Sequence, residues 1–345
     1  MSILSGISDF FGLDIGTTAI RIVQLQGNYP KTLVKYAYVP VDPKISLSDA
    51  KADQAQISQI ILDLCSQAKM TTKNVVVGLP TKKIFTTIVD MDKVSARELE
   101  KTIMFQADSL IPTPIGESKL DWALIGDSPK DSSKIEVLLS SVSDKYIESK
   151  LDSLESVGLN VIAFEPENLA VLRSLISPGT TTPMLVLDIG SLGTDLIITM
   201  NDSPRLVRTI AVGTQAIIRS AAQNLNIDNN QAQQFIFKFG LDPTKLDGQL
   251  SKAIESTIEI LNTEIDKSIK FFETRYAGKK LEKIIITGGA SLIPNFAISI
   301  ANRFNLNFEM GNAWHNVSFP ESRQSELLAV ANQFSVAVGL AGRSE

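Results

Sequence analysis

Two segments of the chain share one order of apolar and polar positions. In each, an apolar run leads into Asp, an apolar residue and Gly, and small hydroxyl residues then lead into a second apolar run; the segments are residues 13–23 and 187–198. This order is typical of a β-hairpin whose turn glycine is free to adopt a positive φ. The copies lie about half a chain length apart, which indicates a duplicated domain that faces itself across a cleft.

Strand and helix patterns alternate along the rest of the chain. Apolar runs predict strands at residues 74–80, 134–142 and 283–290. A capping box at Ser95 and Glu98 predicts a helix that ends before Pro112. The other helical patterns cover residues 144–158, 215–225, most of 228–280 and 325–339. Residues 177–183, which are rich in Pro and Thr, predict a linker just before the second hairpin.

Composition narrows the class of protein. A length of 345 residues suggests roughly two domains. The chain is 44% hydrophobic and 21% charged, which is typical of a globular protein with a core. The net charge of −5 argues against nucleic acid as the main partner, because phosphate binding requires a basic surface.

The chain has a single cysteine, Cys65, and a single histidine, His315. An intramolecular disulfide and a Cys/His zinc site are therefore excluded, and nucleophilic catalysis assisted by histidine is disfavoured. We expect Cys65 to pack in a core and His315 to lie in a loop. The pattern does not explain Phe235, Phe237 and Phe239, whose spacing of two fits no single helix face.

No segment reads as a membrane span. Residues 284–302 are uncharged but contain Gly288–Gly289 and Pro294, and the uncharged stretch 327–342 is too short. The N-terminal residues lack the basic region and cleavage site of a signal peptide. We therefore expect a cytoplasmic protein without direct membrane insertion.

The paired turns suggest a site for a polyphosphate. Backbone N–H groups at Gly16 and Gly190 can form anion-binding nests, and neighbouring hydroxyls add donors. Asp14 and Asp188 would repel phosphate unless a divalent cation such as Mg²⁺, held through water, lay between them. The glycine turn at residues 288–289 could let an adenine lie flat against the backbone. Together these features predict a cleft that binds ATP and Mg²⁺.

These residues also carry a family resemblance. Residues 11–18 and 187–195 resemble the two phosphate motifs of the superfamily that contains actin, sugar kinases and heat-shock chaperones, and residues 286–291 resemble its adenosine motif. The resemblance implies an α/β actin-like ATPase fold, with two RNase H-like domains that face each other across a nucleotide cleft.

A narrower resemblance is to the PilM family of type IV pilus assembly proteins, relatives of the cell-division protein FtsA. It is carried by residues 12–25, 75–80, 105–114 and 164–167. It implies an FtsA-type 1C subdomain at 85–156 in place of actin's 1B. It further implies the following division: 1–84, 157–178 and 326–345 in subdomain 1A, 179–225 and 279–325 in 2A, and 226–278 in 2B.

The resemblance implies roles for particular residues. In the first phosphate motif these are Asp14, Gly16, Thr17 and Thr18, with Arg21 at a position that is often Lys; in the second they are Asp188, Gly190, Gly193 and Thr194, followed by Gly213. Gly288, Gly289 and Ala290 match the adenosine motif. Glu264 and Lys267 resemble the pair that contacts ribose and adenine.

One position departs from the superfamily pattern. Related ATPases carry a polar residue that orients water on the helix after the inserted subdomain, and here the corresponding position falls near Leu169, beside Glu167 and Asn168. A leucine cannot orient water. We therefore expect ATP binding with slow or absent hydrolysis, in which Asp14 and Asp188 would position metal or water.

The resemblance also implies partners and a cellular place. Members of the family bind the cytoplasmic N-terminal tail of PilN, an inner-membrane protein, in a groove at subdomains 1A and 1C, and so link the membrane platform to the pilus motor. The expected location is the inner face of the inner membrane, reached through protein partners. Contact with motor ATPases and self-association stay open.

Two alternatives remain within the superfamily. One is a filament-forming cell-division scaffold of the FtsA type, and the other is a sugar or acetate kinase. A third relative in fold, the cytoplasmic part of GspL from type II secretion, continues into a membrane helix that this chain is expected to lack.

Overall fold

The computed structural model describes the chain from residue 9 to residue 344, apart from the side chains of residues 96 and 97. The strands are β1 (Phe11–Ile15), β2 (Ala19–Gln26), β3 (Lys31–Pro40), β4 (Asn74–Leu79), β5 (Ile84–Asp92), β6 (Ser118–Asp127), β7 (Lys134–Ser143), β8 (Asn160–Pro166), β9 (Met184–Ile189), β10 (Thr194–Met200), β11 (Ser203–Ile210), β12 (Lys283–Thr287), β13 (Asn307–Met310) and β14 (Val317–Ser318). The α-helices are α1 (Pro43–Ser46), α2 (Lys51–Gln67), α3 (Ala96–Leu110), α4 (Asp144–Glu155), α5 (Glu167–Leu175), α6 (Thr214–Leu225), α7 (Asn229–Phe239), α8 (Gln249–Arg275), α9 (Phe296–Phe304), α10 (Gln324–Leu328) and α11 (Ser335–Ala341).

Two sheets have the same strand order. The first is β14-β3-β2-β1-β4-β8 and the second is β11-β10-β9-β12-β13. In each, an antiparallel meander of three strands is followed by two parallel strands, and β14 is added at the edge of the first sheet. The duplicated domain predicted from the paired hairpins is therefore confirmed. We call the parts built on these sheets the first half and the second half.

A third sheet, β5-β7-β6, is antiparallel and lies between β4 and α4 in the chain. Helix α3 covers it, since Leu99 and Ile103 pack against Met91 and Val137. The predicted capping box is present: the Ser95 side chain accepts from the Glu98 N–H, and Glu98 accepts from the Ser95 N–H. We call residues 84–143 the insert.

Packing at two places departs from the subdomain ranges expected above. Helix α4 lies in the range expected for the inserted subdomain, but its Leu154 joins Ile57 and Ile61 of α2 in the core of the first half. Trp314 and β14 lie in the range expected for 2A, yet Trp314 packs with Val23 and β14 pairs with β3. By packing, α4 and the segment from Trp314 onward therefore go with the first half. Sequence patterns could not show this, because each element is amphipathic whichever sheet it covers.

Helices α5 and α11 lie between the two sheets. Their apolar side chains join β4 and β8 of the first sheet to β9, β10 and β12 of the second in one buried cluster. The helices touch at their backbones: a Cβ on Gly339 of α11 would lie 1.8 Å from the carbonyl oxygen of Ala170 in α5. Within residues 9–344, no helix combines the length and apolar character needed to cross a bilayer.

The contact between α5 and α11 yields a stability prediction. The substitution Gly339→Ala should lower the free energy of unfolding by about 3 kcal/mol, because a methyl group cannot fit without separating the helices. Gly116→Ala is the matched control, since a Cβ there meets no atom within 4 Å, and its effect should stay within about 0.5 kcal/mol. Urea denaturation followed by circular dichroism measures both, and equal midpoints for the two variants would contradict this packing.

Candidate functional site

A cleft of about 690 Å³ opens where the two halves face each other. The turn after β1 contributes Asp14, Gly16, Thr17 and Thr18, and the turn after β9 contributes Asp188, Gly190, Ser191 and Gly193. Both turns lie at the carboxyl ends of parallel strands, where open α/β sheets form their ligand sites. The structure thus brings together two hairpin turns that are distant in sequence.

Gly288 completes the wall beside the second turn. Its φ is +84°, and a Cβ on it would lie 2.4 Å from Asp188 Oδ1. Only glycine allows both this backbone conformation and this close approach. Gly289 follows, and a Cβ there would meet no atom within 4 Å, so its face is open to the cleft.

Most of the predicted site residues line the cleft. They are Asp14, Gly16, Thr17, Thr18, Arg21, Asp188, Gly190, Gly193, Gly288 and Gly289. Three others lie just behind the wall. Thr194 is fully buried and its hydroxyl donates to the Val212 carbonyl at 2.7 Å, Ala290 is fully buried, and Gly213 directly precedes Thr214, which lines the cleft.

Glu264 and Lys267 do not lie on the cleft wall. Lys267 Nζ donates to Glu264 Oε1 at 2.6 Å, and Glu264 also lies 3.5 Å from Arg208 on β11. The spacing that suggested a ribose-binding pair instead forms an ion pair across one helical turn. The predicted contacts of these two residues with ribose and adenine have no support in this geometry.

Helices α6 and α7 supply that side of the cleft instead. Gln215 and Ile218 come from α6, and Gln233 and Phe237 come from α7. Phe235 and Phe239, four residues apart, place their ring centroids 6.0 Å from each other. The spacing of two among the phenylalanines therefore reflects an α-helix whose Phe237 faces the cleft. Sequence analysis had no explanation for this pattern.

Four carboxylates converge in the cleft: Asp14, Glu167, Asp188 and Asp195. Burial, then Asp195 and Asp14, raise the pKa of Asp188 to about 7. Burial, then Asp14, Asp195 and Asp188, raise the pKa of Glu167 well above its usual value. Burial also raises the pKa of Asp14, although Arg21 Nη1 lies 3.1 Å from its carboxylate and opposes the shift. The site therefore concentrates more negative charge than its own groups neutralise.

Such a site favours a bound cation. Within the described residues, no three potential ligand side chains are grouped closely enough to hold a metal ion directly. A hydrated Mg²⁺ needs only one or two carboxylates when water and phosphate complete its shell. The acidic donor set of Asp14 and Asp188 fits that mode, and the cation would relieve the repulsion that raises the pKa values.

Several residues on the wall were missed from sequence. Lys82 and Lys83 follow β4 in a short helix, Lys150 comes from α4, and Asp195 is the second residue of β10. Their signal was available only as position, since each lies beside a strand end at the cleft or on a helix that flanks it. The three lysines add positive charge on the side of the first half.

Leu169, at the position where related ATPases carry a water-orienting residue, does not line the cleft. Glu167, two residues earlier, does. Glu167 is the first residue of α5, directly after β8, so the strand end aims it at the cleft. Asn168 is buried behind it. The sequence placed Glu167 near this position without showing which way it points.

The single cysteine and histidine lie outside the cleft lining. Cys65 packs in the core of the first half, and burial raises the pKa of its thiol to about 11. His315 lies in a turn, where its Nε2 is 2.8 Å from Ser177 Oγ. Both positions match the expectations from sequence.

Comparison with known proteins links this geometry to a family. The family model described as type IV pilus assembly protein PilM matches residues 12–345. A solved PilM-PilN type IV pilus biogenesis complex is 25% identical, with 97% of this chain and 98% of that chain covered and a TM-score of 0.82.

More distant structures share the fold. The ethanolamine utilization protein EutJ from Carboxydothermus hydrogenoformans is 13% identical, with 97% of this chain and 89% of that chain covered and a TM-score of 0.56. MreB 5 of Spiroplasma citri bound to AMPPNP is 14% identical, with 96% and 95% covered and a TM-score of 0.53. They establish the actin-like fold predicted from the phosphate motifs.

The carboxylate cluster yields a pH prediction. Burial and the neighbouring carboxylates raise the pKa of Asp188 to about 7 in the folded chain from its ordinary value of 3.8, so between these values the folded state binds more protons than the unfolded state. Asp188 therefore costs stability increasingly as pH rises toward 7. Asp188→Asn should raise the melting temperature of the ligand-free protein by a few degrees at pH 8, and by less at pH 5.

Thermal denaturation at the two pH values measures this difference. Exposed Asp63→Asn, on α2, is the control, and its melting temperature should follow that of the wild type at both pH values. A gain for Asp188→Asn that does not grow with pH would argue against a buried, repelled carboxylate.

Proposed function

The chain belongs to the PilM family of type IV pilus assembly proteins, and from this premise we propose that it binds ATP with Mg²⁺ in the cleft and recruits a PilN-like membrane protein. The observation that carries the nucleotide part is that two glycine turns from opposite halves line a single cleft with Asp14 and Asp188. A triphosphate needs N–H donors on both sides and a cation beside it. This cleft offers donors on both sides, and Asp14 and Asp188 would hold the cation.

The residues of the cleft divide the nucleotide between the two halves. Thr17 and Thr18 would donate to phosphate oxygens from one side. Residues after Gly190 in the second turn would donate from the other, because the Gly190 N–H itself donates to the Gly193 carbonyl at 2.9 Å. Asp14 and Asp188 would hold the water shell of Mg²⁺, which supplies charge neutralisation for the phosphates. Arg21 would add a permanent cation. The AMPPNP-bound MreB 5 structure, which shares the fold, supports a nucleotide in this position.

The base would lie against the open face of Gly289. On α7, the aromatic ring of Phe237 can stack on a purine, and the amide oxygen of Gln233 can accept hydrogen bonds from ribose hydroxyls. Both residues line the same cleft as Gly289. In this arrangement residues of α7 would make the contacts with ribose and adenine that the family resemblance implied for Glu264 and Lys267.

Hydrolysis would depend on Glu167. Burial, then the neighbouring carboxylates, raise the pKa of Glu167 well above its usual value, and a protonated carboxyl group cannot accept a proton from water. A bound cation would restore its charge only in part. Slow turnover, at most, follows from this environment.

The partner proposal rests on the family and on the surface of the insert. The matched complex contains PilN together with PilM, which supports a PilN-like tail as partner here. The insert exposes apolar side chains on α3, where Phe105 is 87% and Met104 49% exposed. Exposed apolar groups of this size mark interaction surfaces. Through such a partner the protein would sit at the inner membrane and link the platform to the motor.

Family membership also decides between the alternatives considered above. It favours pilus assembly over phosphorylation of a sugar or acetate and over a cell-division filament. Self-association and contact with motor ATPases stay predictions.

The nucleotide site can be tested by filling it. Gly289→Trp should weaken Mg-ATP binding at least ~10-fold, or ~1.4 kcal/mol, because the indole would occupy the base position. Gly289→Ala is the matched control, because a Cβ there meets no atom within 4 Å. Isothermal titration calorimetry with each variant measures the affinity. Unchanged binding by the tryptophan variant would remove this site.

Recruitment can be tested with a synthetic peptide of the N-terminal cytoplasmic tail of a PilN-type protein. Fluorescence anisotropy should give a saturable isotherm with the wild type. Phe105→Ala should weaken it about 10-fold, through loss of a large apolar contact. The comparable surface phenylalanine in the second half, Phe271, is 54% exposed, and Phe271→Ala should bind like the wild type. A flat wild-type titration would count against recruitment.

A further inference from the structure

The insert contains one fully buried carboxylate, that of Glu136 on β7. It accepts hydrogen bonds from Arg205 Nη1 at 2.6 Å, from Arg275 Nε at 3.0 Å and Nη2 at 2.7 Å, and from the Tyr276 hydroxyl at 2.7 Å. Arg205 lies on β11, and Arg275 and Tyr276 lie at the end of α8. Every one of these donors therefore belongs to the second half.

The same two arginines make further contacts with the insert. Arg275 Nη2 donates to Asp90 on β5 at 2.9 Å. Arg205 Nη2 donates to the Ile125 carbonyl on β6 at 2.6 Å. Two carboxylates thus balance two guanidinium groups, and all three strands of the insert take part. We call these four charged groups and Tyr276 the Glu136 cluster.

The backbone of β6 is shaped around this contact. The pairing of β6 with β7 is irregular between Leu124 and Gly126. Gly126 has a φ of +142°, and a Cβ on it would lie 3.0 Å from Arg205 Nη2. A side chain at this position would therefore press on the guanidinium. The bulge turns the Ile125 carbonyl toward Arg205, so the irregular pairing of β6 allows this hydrogen bond to form.

The phenol of Tyr276 is held as a donor. Burial, then the hydrogen bond to Glu136, raise the pKa of Tyr276 above its usual value, so the hydroxyl stays protonated at physiological pH. Glu136 therefore receives four hydrogen bonds and has no contact with solvent. Withdrawing one partner from such a group leaves a buried charge uncompensated, which costs far more than breaking an ion pair at the surface.

The position of the cluster in the chain gives it mechanical meaning. The insert is covalently joined to the first half at both ends, through β4 and through α4. Its buried ion pairs are with the second half, whereas its ion pair with α4, between Lys119 and Asp144 at 3.6 Å, involves an exposed lysine. The insert consequently spans the two halves that form the cleft, in addition to the contact through α5 and α11.

We propose that the Glu136 cluster is a latch that fixes the insert to the second half and thereby restrains the two halves from moving apart. The latch stands on its own geometry, whereas its effect on nucleotide release rests on the proposed function. When the latch is intact, opening of the cleft must break buried hydrogen bonds or drag the insert with the second half. Weakening the latch should therefore widen the motion of the insert and accelerate the release of bound nucleotide.

The test uses two variants that disturb the latch in different ways. Arg275→Met removes one guanidinium but leaves Glu136 paired with Arg205 and Tyr276, and circular dichroism checks that the variant is folded. Gly126→Ala leaves every charge in place, but it strains the backbone at a positive φ and presses on Arg205. The control is Arg303→Met, which removes an arginine from its contact with Glu259 inside the second half, at 3.8 Å.

Two measurements are made on each variant. Spin labels are attached at the exposed positions Ser132 on the insert and Lys280 in the second half, in a Cys65→Ala background. Pulsed electron paramagnetic resonance measures the distance between the two labels. Stopped-flow release of a fluorescent ATP analogue reports opening of the cleft. Wild type and the Arg303→Met control should give one narrow distance distribution and the same slow release.

Both latch variants should broaden the distance distribution and release the analogue at least ~5-fold faster, a difference of ~1 kcal/mol in the barrier. A distribution as narrow as that of the wild type in both variants would overturn the latch. Broadening without faster release would overturn its control of the cleft. If the analogue does not bind even the wild type, the proposed function fails, and the distance measurement still decides whether the latch exists.

Discussion

The whole arrangement depends on the backbone contact between α5 and α11. These helices fill the space between two sheets of the same topology, and Gly339 lets them meet at the Ala170 carbonyl without a side chain between them. Because each helix also packs on β4 or β8, the contact sets how the carboxyl ends of β1 and β9 face each other. The cleft forms because the α5–α11 contact holds the two halves close together. A larger residue at the crossing would change the separation on which every cross-cleft contact depends.

The buried carboxylates of the cleft lower the stability of the folded protein. Four carboxylates lie in one cleft, where burial first and the neighbouring carboxylates second raise the pKa values of Asp188 and Glu167. Such clusters are typical of functional sites, where stability is given up for affinity toward a cation or charged ligand. Large apolar clusters on both sheets offset this cost. The cleft is therefore acidic where the ligand's cation would lie, with Lys82, Lys83 and Lys150 contributed by the first half.

The insert combines two properties that are usually separate. It exposes apolar side chains on α3, and it buries Glu136 against two arginines of the second half. The chain joins the insert to the first half, and the ion pairs of the Glu136 cluster join it to the second half. The insert therefore responds to movement of either half. A partner that binds the insert would thus act on a body that also contacts the second half. This gives a physical route between the cleft and a surface where a membrane protein could dock.

The sequence by itself determined the features that local pattern encodes. The repeated hairpins, the strands around them, the capping box at Ser95 and the glycines of the turns follow from periodicity and backbone freedom. The actin-like fold was predicted from the resemblance of the phosphate and adenosine motifs to those of a known superfamily, and most of the predicted site residues line the cleft. These features depend on neighbours within a few positions, which a linear pattern can record.

Tertiary structure decided which face each helix turns to the site and which distant charges meet. It paired Glu264 with Lys267 away from the cleft and placed Phe237 on its wall. It aimed Glu167 into the cleft and assembled the Glu136 cluster from four separate parts of the chain. An amphipathic pattern shows that a helix has a buried face but not what that face covers. Long-range charge pairing leaves no periodic signal, because its geometry arises only when the sheets are packed.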